Sequence, residues 1–370
     1  MTKLDALYLE HGQSAWVDNI RRDWLNDGTL QNLVDRGVRG VTSNPSIFAK
    51  AVASTDAYDA LISSLATTDP EVAFEQLAVE DVRDACAILR PVYDASLRSL
   101  SSGERRSLDG YVSLEVSPRL AHDTEGTVAA AKRLAGMLSE SPNLMIKIPA
   151  TKAGLPAITA VLALGINVNV TLIFSLERYR EVLDAFVEGI ESAHLAGLDV
   201  SKIASVASFF ISRVDTAIDP MLPEDSKLRG IAAIAQAAQA YEIFQERIAS
   251  PRFTNIHDLG AQVQRPLWAS TSTKNPEYSD LLYVDTLVAR ETVNTLPDPT
   301  LEAYADHGNA ANSQLLDESA RRTLGAKLEE LANAGIDLAA VTQRLEDEGV
   351  AAFISSYDEL LATVAQKLLG

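Results

Sequence analysis

The sequence predicts an α/β fold with parallel strands. Short runs rich in β-branched residues alternate with stretches whose apolar residues recur at helical spacing, a pattern typical of this class. Leu176, Tyr179, Leu183, Phe186 and Ile190, for example, trace one face of a helix. The strand-like runs number eight, and eight parallel strands close a (β/α)8 TIM-type barrel. We therefore expect a TIM-type barrel with additional helices.

The eight candidate strands follow one another in chain order, each with a helical pattern behind it. They are Ala15–Asp18, Gly37–Thr42, Gly110–Val116, Leu144–Ile148, Ile166–Ile173, Ile203–Phe210, Pro266–Thr271 and Leu281–Asp285. Three segments exceed the minimal repeating unit: helical insertions near 46–108 and 218–262, and a helical tail over 312–370. No flexible linker or internal repeat separates them, so residues 1–370 are predicted to form one domain.

Composition excludes several classes of function. The formal net charge is -19, which disfavours binding to nucleic acid or to an anionic membrane surface. No apolar run is long enough to span a bilayer, and the N-terminus lacks the features of a signal peptide, so a cytoplasmic location is expected. The single cysteine, Cys86, lies in a helical stretch and is read as packing. The five histidines are scattered without metal-ligand spacing, and no metal or cofactor is predicted.

Lys147 stands inside a short apolar run, Leu144–Ile148. Burial disfavours the ammonium form and so favours the neutral amine, which can attack a carbonyl carbon and form a Schiff base. The alternative is an edge strand with its lysine in water, because lysine is rarely fully buried. The run alone does not decide between them.

Polar residues share one face of several strands, and most of them stand late in their strands. On a barrel that face points inward, where unused polar groups are costly, and late positions lie at the carboxyl ends where barrel active sites form. The residues expected to converge there are Asp18, Asn44, Glu115, Lys147, Asn169, Thr171 and Ser208. The alternative is a satisfied polar network without chemistry. We favour a site with Lys147 as nucleophile, Asp18 and Glu115 as proton-transfer groups, Thr171 acting through a water, and two asparagines for hydroxyls.

Two strand ends offer hydroxyls, backbone N–H groups and one cation each. Ser208 lies near the end of the sixth candidate strand and Arg213 follows it, while Ser270 lies near the end of the seventh and Lys274 follows it. Barrels often bind phosphate in this region, so a phosphate site is expected. Arg213 has an alternative partner in Asp215 or Asp219 on the same helix.

Six segments, in this order, resemble the transaldolase family. They are Trp16–Asp18, Gly40–Ser46, Val112–Val116, Met145–Thr151, Asn167–Ser175 and Ala207–Asp215. The length and the extra helices are similar to the long, actinobacterial form of the family. The resemblance implies a metal-free class I Schiff-base enzyme of the non-oxidative pentose phosphate pathway. It would transfer a dihydroxyacetone unit, converting sedoheptulose 7-phosphate and glyceraldehyde 3-phosphate to erythrose 4-phosphate and fructose 6-phosphate.

The resemblance also implies roles for individual residues. Lys147 would attack the ketose C2, and Glu115 and Thr171 would serve carbinolamine formation and dehydration through water. Asp18 would take the C4 hydroxyl proton, and Asn44 and Asn169 would hold the enamine. Ser208, Arg213, Ser270 and Lys274 would bind phosphate, although many relatives place an arginine where Lys274 stands.

Two alternatives remain open at the level of sequence. A fructose 6-phosphate aldolase would use the same lysine but give up its enamine to water. A catalytically silent barrel would only bind sugar phosphates. The protein is expected to be a monomer or a homodimer, with sugar phosphates as its substrates.

Overall fold

A computed structural model describes residues 1–101 and 108–369. Its centre is a parallel sheet of seven strands with the order β1-β7-β6-β5-β4-β3-β2. The strands β1 to β7 are Gln13–Val17, Val112–Glu115, Leu144–Pro149, Val168–Ile173, Ser205–Phe210, Gln264–Ala269 and Thr292–Leu296. Six of the predicted strands coincide with β1 to β6, so the α/β class and the parallel sheet are confirmed.

The predicted strand Gly37–Thr42 is present only as isolated parallel bridges at Val41, one to Val17 of β1 and one to Val112 of β2. The segment nevertheless exchanges backbone hydrogen bonds with both of these edge strands, among them Val41 N–H to the Tyr111 carbonyl at 2.9 Å. Gly40 is required here because a Cβ atom would lie only 2.4 Å from the Trp16 ring.

The predicted strand Leu281–Asp285 is wrong. Residues Leu282–Thr286 form a short helix, and the last strand is Thr292–Leu296, which pairs with both β1 and β6. A short apolar run cannot be assigned to helix or strand by periodicity alone, and the run at 281–285 is of that kind. The true strand is rich in threonine and asparagine, so its hydrophobic signal is weak.

Helices cover the sheet and extend beyond it. The helices α1 to α16 are Lys3–His11, Arg22–Asp27, Thr29–Asp35, Pro45–Ser54, Asp59–Ser64, Pro70–Ser101, Thr124–Met137, Gly154–Ala163, Leu176–Leu195, Ser212–Ile218, Ala232–Ile248, Pro251–His257, Leu282–Thr286, Asp298–His307, Glu318–Asn333 and Leu338–Leu369. In the described chain no helix combines the length and the apolar character that crossing a membrane would require.

Helices lie in the described parts of all three additional segments. The first contains α4, α5 and α6, the second contains α11 and α12, and the tail contains α15 and α16. Helix α16 packs against α4, α6 and α10 and also reaches β4. The tail therefore lies over the carboxyl ends of the strands, which is where the sequence places the site.

Candidate active site

Lys147 lies on β3 and is 5% exposed. Its Nζ donates a hydrogen bond to the Ser43 carbonyl at 3.0 Å, and the Glu115 carboxylate is 3.4 Å away. Lys147 and Glu115 are neighbours because β2 and β3 pair in register at these two residues. The interpretation of an edge strand with its lysine in water is wrong, since β3 is flanked by β2 and β4.

Glu115 is the nearest proton acceptor for this amine. Burial raises the pKa of Glu115 to about 7, even though the charge of Lys147 and its hydrogen bond lower it. Its Oε2 has no hydrogen-bond partner among the described residues. A carboxyl group with this pKa can accept and return a proton near neutral pH, which is the requirement for general acid–base catalysis.

Asp18 follows β1 and belongs to a chain of hydroxyl groups. The Thr42 hydroxyl donates to Asp18 Oδ1 at 2.6 Å and lies 2.6 Å from the Thr295 hydroxyl. Because the Thr42 proton is used toward Asp18, Thr295 must be the donor to Thr42. Burial raises the pKa of Asp18, while Lys147 and Thr42 lower it in part. Asp18 is thus oriented and partly desolvated, as a proton-transfer group should be.

Thr171 lies at an irregularity in β4. The register between β4 and β5 shifts between Val170 and Ile173, and Leu172 adopts a φ of 60°, in the left-handed region. The Thr171 hydroxyl is fully buried and has no hydrogen-bond partner among the described residues. A buried hydroxyl without a partner is costly, so this one has a site ready for a water molecule or a substrate oxygen.

The two predicted asparagines differ in how they are held. Asn44 precedes α4, and its Oδ1 accepts from the Ile47 N–H at 3.0 Å, which leaves its NH2 group for a ligand. Asn169 is fully buried: its Nδ2 donates to Ser113 and its Oδ1 accepts from Ser208. Asn169 is thus held in place by Ser113, and its Oδ1 orients the Ser208 hydroxyl.

Two cations lie together at the ends of β5 and β6. No carboxylate of the described chain lies within 4.0 Å of Arg213 or Lys274, and the Lys274 Nζ donates instead to the Ser272 hydroxyl at 2.7 Å. Burial lowers the pKa of both groups, and Arg213 lowers that of Lys274 further. Ser270 lies between them, with a φ of 56° and its hydroxyl 3.0 Å from that of Ser212. Such a pair of unneutralised cations favours an anion.

The alternative ion pairs of Arg213 are not formed. Asp215 accepts instead from the Ala233 N–H and the Tyr283 hydroxyl, and Asp219 accepts from the Gly230 N–H and the Tyr278 hydroxyl. Both carboxylates thus brace the helices behind the site and leave Arg213 free to meet a ligand.

These residues surround one cavity of about 170 Å³. Its lining includes eight of the ten predicted site residues, namely Asp18, Asn44, Lys147, Thr171, Ser208, Arg213, Ser270 and Lys274. Glu115 and Asn169 are not part of the lining, but each contacts a residue that is. Lys147 and the two cations contribute to the same cavity, so a ligand with a carbonyl group and a phosphate can reach both.

Sequence reasoning missed part of the lining. The additional residues are Thr42, Phe210, Ala269, Ser272, Thr295, Pro297 and Phe353. Thr42, Phe210, Ala269 and Ser272 lie within or beside segments already singled out, so a closer sorting of strand faces could have found them. Thr295 lies on β7 and Pro297 directly follows it, and the sequence pattern did not predict a strand there. Phe353 comes from the tail, and no local pattern connects it to the site.

A larger cavity, about 420 Å³, lies between α6, α7 and α16. Its two arginines are already paired: Arg119 lies 2.7 Å from Asp358, and Arg133 contacts Glu75. Because these cations are neutralised, this cavity is less suited to an anionic ligand. Within the described ranges, no group of three His, Cys, Asp or Glu side chains could hold a metal ion.

A parallel α/β sheet with a buried lysine beside a carboxylate, at the carboxyl ends of its strands, is the arrangement of an aldolase-type enzyme that works through an amine. The comparison with known families agrees. The family model described as Transaldolase/Fructose-6-phosphate aldolase matches residues 15–364, and the chain belongs to that family.

Curated sequences from actinobacteria are similar to this protein over nearly the whole chain. The protein of Parafrankia sp. named transaldolase is 49% identical over 96% of both chains. The transaldolase of Thermobifida fusca is 50% identical, again over 96% of both. That of Mycolicibacterium smegmatis is 50% identical over 95% of this chain and 93% of its own. The predicted resemblance and the prediction of an enzyme are confirmed.

Proposed function

We propose that this protein is a transaldolase, a transferase of the pentose phosphate pathway that moves a dihydroxyacetone unit between sugar phosphates. Donor and acceptor would be sedoheptulose 7-phosphate and glyceraldehyde 3-phosphate, giving erythrose 4-phosphate and fructose 6-phosphate. One observation carries the proposal: the amine of Lys147, 3.4 Å from Glu115, lines the same cavity as the unneutralised cations Arg213 and Lys274. The names of the similar proteins support it independently.

The reaction begins with proton transfer from the Lys147 ammonium to Glu115. The neutral amine attacks the C2 carbonyl of the ketose, and Glu115 returns the proton to the departing oxygen as water leaves. The unpartnered Thr171 hydroxyl is placed to hold the water that relays this proton. The product is an iminium ion on Lys147.

The iminium ion then serves as the electron sink for cleavage. Asp18 takes the proton of the C4 hydroxyl, the C3–C4 bond breaks, and its electron pair forms the enamine. Asn44, with its free NH2 group, and Asn169, through Ser208, would hold the hydroxyl groups of this three-carbon unit. An incoming aldose accepts the enamine carbon, Asp18 returns the proton to the new hydroxyl, and hydrolysis releases the product ketose.

The phosphate group would lie between the ends of β5 and β6. Arg213 can donate two hydrogen bonds, Lys274 contributes a point charge, and the Ser270 hydroxyl adds a donor. Ser208 would join this cradle by turning its proton from Asn169 towards the phosphate. This assignment is supported by the absence of any carboxylate of the described chain within 4.0 Å of either cation. The more distant charge of Glu348 raises the pKa of Arg213 only in part. Every residue in the mechanism comes from one chain, so either a monomer or a homodimer would be active.

We propose further that the sheet is a closed (β/α)8 TIM-type barrel and that residues 1–370 form a single domain around it. The segment at 39–42, hydrogen-bonded to the edge strands β1 and β2, would be the eighth strand. The match of one family model to residues 15–364 supports a single domain.

The family name also covers fructose 6-phosphate aldolase, which shares every step up to the enamine. The deciding measurement is glyceraldehyde 3-phosphate release from fructose 6-phosphate, with and without erythrose 4-phosphate. Release that depends on the acceptor is expected for a transaldolase. Equal release without it would identify an aldolase, and no release would leave a silent sugar-phosphate-binding protein.

Lys147 can be tested in the same preparation. Borohydride added with fructose 6-phosphate should attach a three-carbon unit to the peptide that contains Lys147. Lys147→Met should lose both the adduct and turnover, by about 10⁴-fold or more, while it keeps the fold. Lys132→Ala, at an exposed lysine on α7, is the control and should behave as wild type. An adduct or turnover retained in Lys147→Met would contradict the mechanism.

A further inference from the structure

Helix α16 contributes one side chain to the cavity, that of Phe353. Phe353 is buried, and the centre of its ring lies 5.8 Å from the Nζ of Lys147. Most of the residues that line the cavity are polar, whereas the Phe353 ring next to Lys147 is apolar. A three-carbon unit bound covalently to Nζ would therefore lie next to this ring.

The helix is held firmly on the site. At Gly349 a Cβ atom would lie 3.1 Å from the Leu172 side chain, so the absence of a side chain lets α16 approach the end of β4 closely. One turn before Gly349, Glu346 lies 3.3 Å from the buried Arg178. These contacts fix the helix before Phe353.

Contacts beyond Phe353 fix the helix on its other side. Asp358 lies 2.7 Å from Arg119, and the Tyr357 hydroxyl donates to Glu71 at 3.0 Å. Anchored on both sides, α16 holds the Phe353 ring in one place over Lys147. A fixed apolar group at this position offers no hydrogen bond to water on the side of the bound unit that faces the ring, while the water at Thr171 serves C2.

We propose that Phe353 determines what the enamine reacts with. This rests on the function proposed above. In transfer, the enamine C3 attacks the aldehyde carbon of the acceptor, a C–C bond forms, and the aldehyde oxygen takes a proton from Asp18. In the competing reaction, C3 takes a proton that water supplies, and the iminium ion returns. Water then adds at C2, the C–N bond breaks, and free dihydroxyacetone and the amine are released.

Phe353 blocks the competing reaction by keeping water away from C3 until the acceptor enters. The acceptor brings its own phosphate, which Arg213 and Lys274 can bind on another part of the lining. Phe353 is thus a specificity-determining residue that separates transfer from hydrolysis, although it takes no part in proton transfer itself.

The test compares Phe353→Ala and Phe353→Leu with wild type. Ser355→Ala, at an exposed position on the same helix, is the control. Two rates are measured from fructose 6-phosphate: dihydroxyacetone release without acceptor, and transfer to erythrose 4-phosphate. The ratio of release to transfer should rise about tenfold in Phe353→Ala and about two- to threefold in Phe353→Leu, which keeps apolar volume but loses the ring. Ser355→Ala should keep the wild-type ratio.

Proportional loss of both rates, with an unchanged ratio, would overturn the proposal and reduce Phe353 to a packing residue. Borohydride trapping on Lys147 shows that each variant still forms its Schiff base. If Phe353→Ala fails to fold, Phe353→Leu decides, and a wild-type ratio in that variant counts against the proposal. Absence of transfer by the wild-type protein would instead refute the proposed function, so the two failures are distinguishable.

Discussion

Two buried polar clusters lie at opposite ends of the same sheet, and they are built differently. The floor cluster, near the amino ends of the strands, consists of Ser14, Trp16, Arg39, Asp109 and Arg265. The mouth cluster, at the carboxyl ends, consists of Asp18, Thr42, Glu115, Lys147 and Thr171. Each contains at least one carboxylate and at least one buried cation, so burial of charge alone does not mark an active site.

The difference is in how completely the carboxylates are paired. Asp109 accepts from Trp16 at 2.8 Å and from Arg39 at 2.9 Å, and Arg265 lies 3.7 Å away. Burial raises the pKa of Asp109, but the two arginines and the hydrogen bonds outweigh burial and hold the pKa below its ordinary value. Among the described residues, Glu115 has only Lys147 as an ion-pair partner, and its carboxylate stays protonatable near neutral pH. A fully paired carboxylate stays ionised and stabilises the structure, whereas a partly paired carboxylate can gain and lose a proton.

The largest effect we expect concerns the floor cluster. Asp109→Ala removes the partner of the buried Arg265 guanidinium and of the partly buried Arg39 guanidinium, and it should lower the free energy of unfolding by about 3–5 kcal/mol. Activity per folded molecule should change little, since the floor cluster lies at the other end of the strands. Denaturant unfolding and active-site titration by borohydride trapping measure the two quantities. Asp225→Ala, at an exposed carboxylate, is the control.

The opposite result for Asp109→Ala would contradict the contrast between the floor cluster and the mouth cluster. If Asp109→Ala is as stable as wild type but inactive, the floor cluster takes part in function and the contrast between the two ends of the sheet is lost.

Glu115→Gln should show the reverse behaviour. Loss of the proton-transfer group should lower kcat by about 10²- to 10³-fold. In the wild-type protein the ionised carboxylate must accept the first proton from Lys147, so turnover should rise as pH rises through about 7, the pKa of Glu115. Glutamine does not titrate, and this limb of the pH–rate profile should disappear. A limb that persists unchanged in Glu115→Gln would assign the titration to another group.

The same pKa predicts a dependence of stability on pH. The folded pKa lies above the ordinary value of 4.5, so the folded protein holds this proton more tightly than the unfolded chain. Its stabilising contribution is complete below pH 4.5 and is lost as pH rises through about 7. Unfolding free energies of wild type and Glu115→Gln should therefore diverge, in favour of the variant, between pH 4.5 and pH 7. Parallel pH curves would contradict the assignment.

The sequence predicts the mouth cluster better than the floor cluster. Lys147 and Glu115 interrupt apolar strands, and such interruptions are visible without a structure. Asp109 and Arg265 form an ion pair although they lie 156 positions apart in the sequence (265 minus 109). No local sequence pattern predicts this contact. Seven strands in one parallel sheet follow from the alternation of patterns, but the last of them was misplaced because Thr292–Leu296 carries little hydrophobic signal.

The tail shows where sequence reasoning stops. The spacing of apolar residues predicts helix over 312–370, and the structure contains α15 and α16 there. Which face of α16 meets the site depends on long-range contacts, such as that of Glu346 with Arg178. Phe353 could therefore be assigned to the cavity only once the helix had been placed over the strands.

The cations distinguish the two ends as well, and they lead to the smallest effect we expect. Arg265 of the floor cluster has carboxylate and hydroxyl partners, whereas Lys274 at the mouth has, within residues 1–101 and 108–369, only the Ser272 hydroxyl. Because Lys274 is partly exposed, its contribution to phosphate binding is modest, and Lys274→Ala should raise KM for fructose 6-phosphate about tenfold. For unphosphorylated ketoses, the KM of Lys274→Ala should stay near the wild-type value. In the control Lys132→Ala, KM should stay near wild type for both phosphorylated and unphosphorylated donors. Lys274→Arg, which keeps the charge, should recover most of the loss. An equal change in KM for phosphorylated and unphosphorylated donors would place the phosphate elsewhere, because a lysine that binds only phosphate cannot affect a substrate without one.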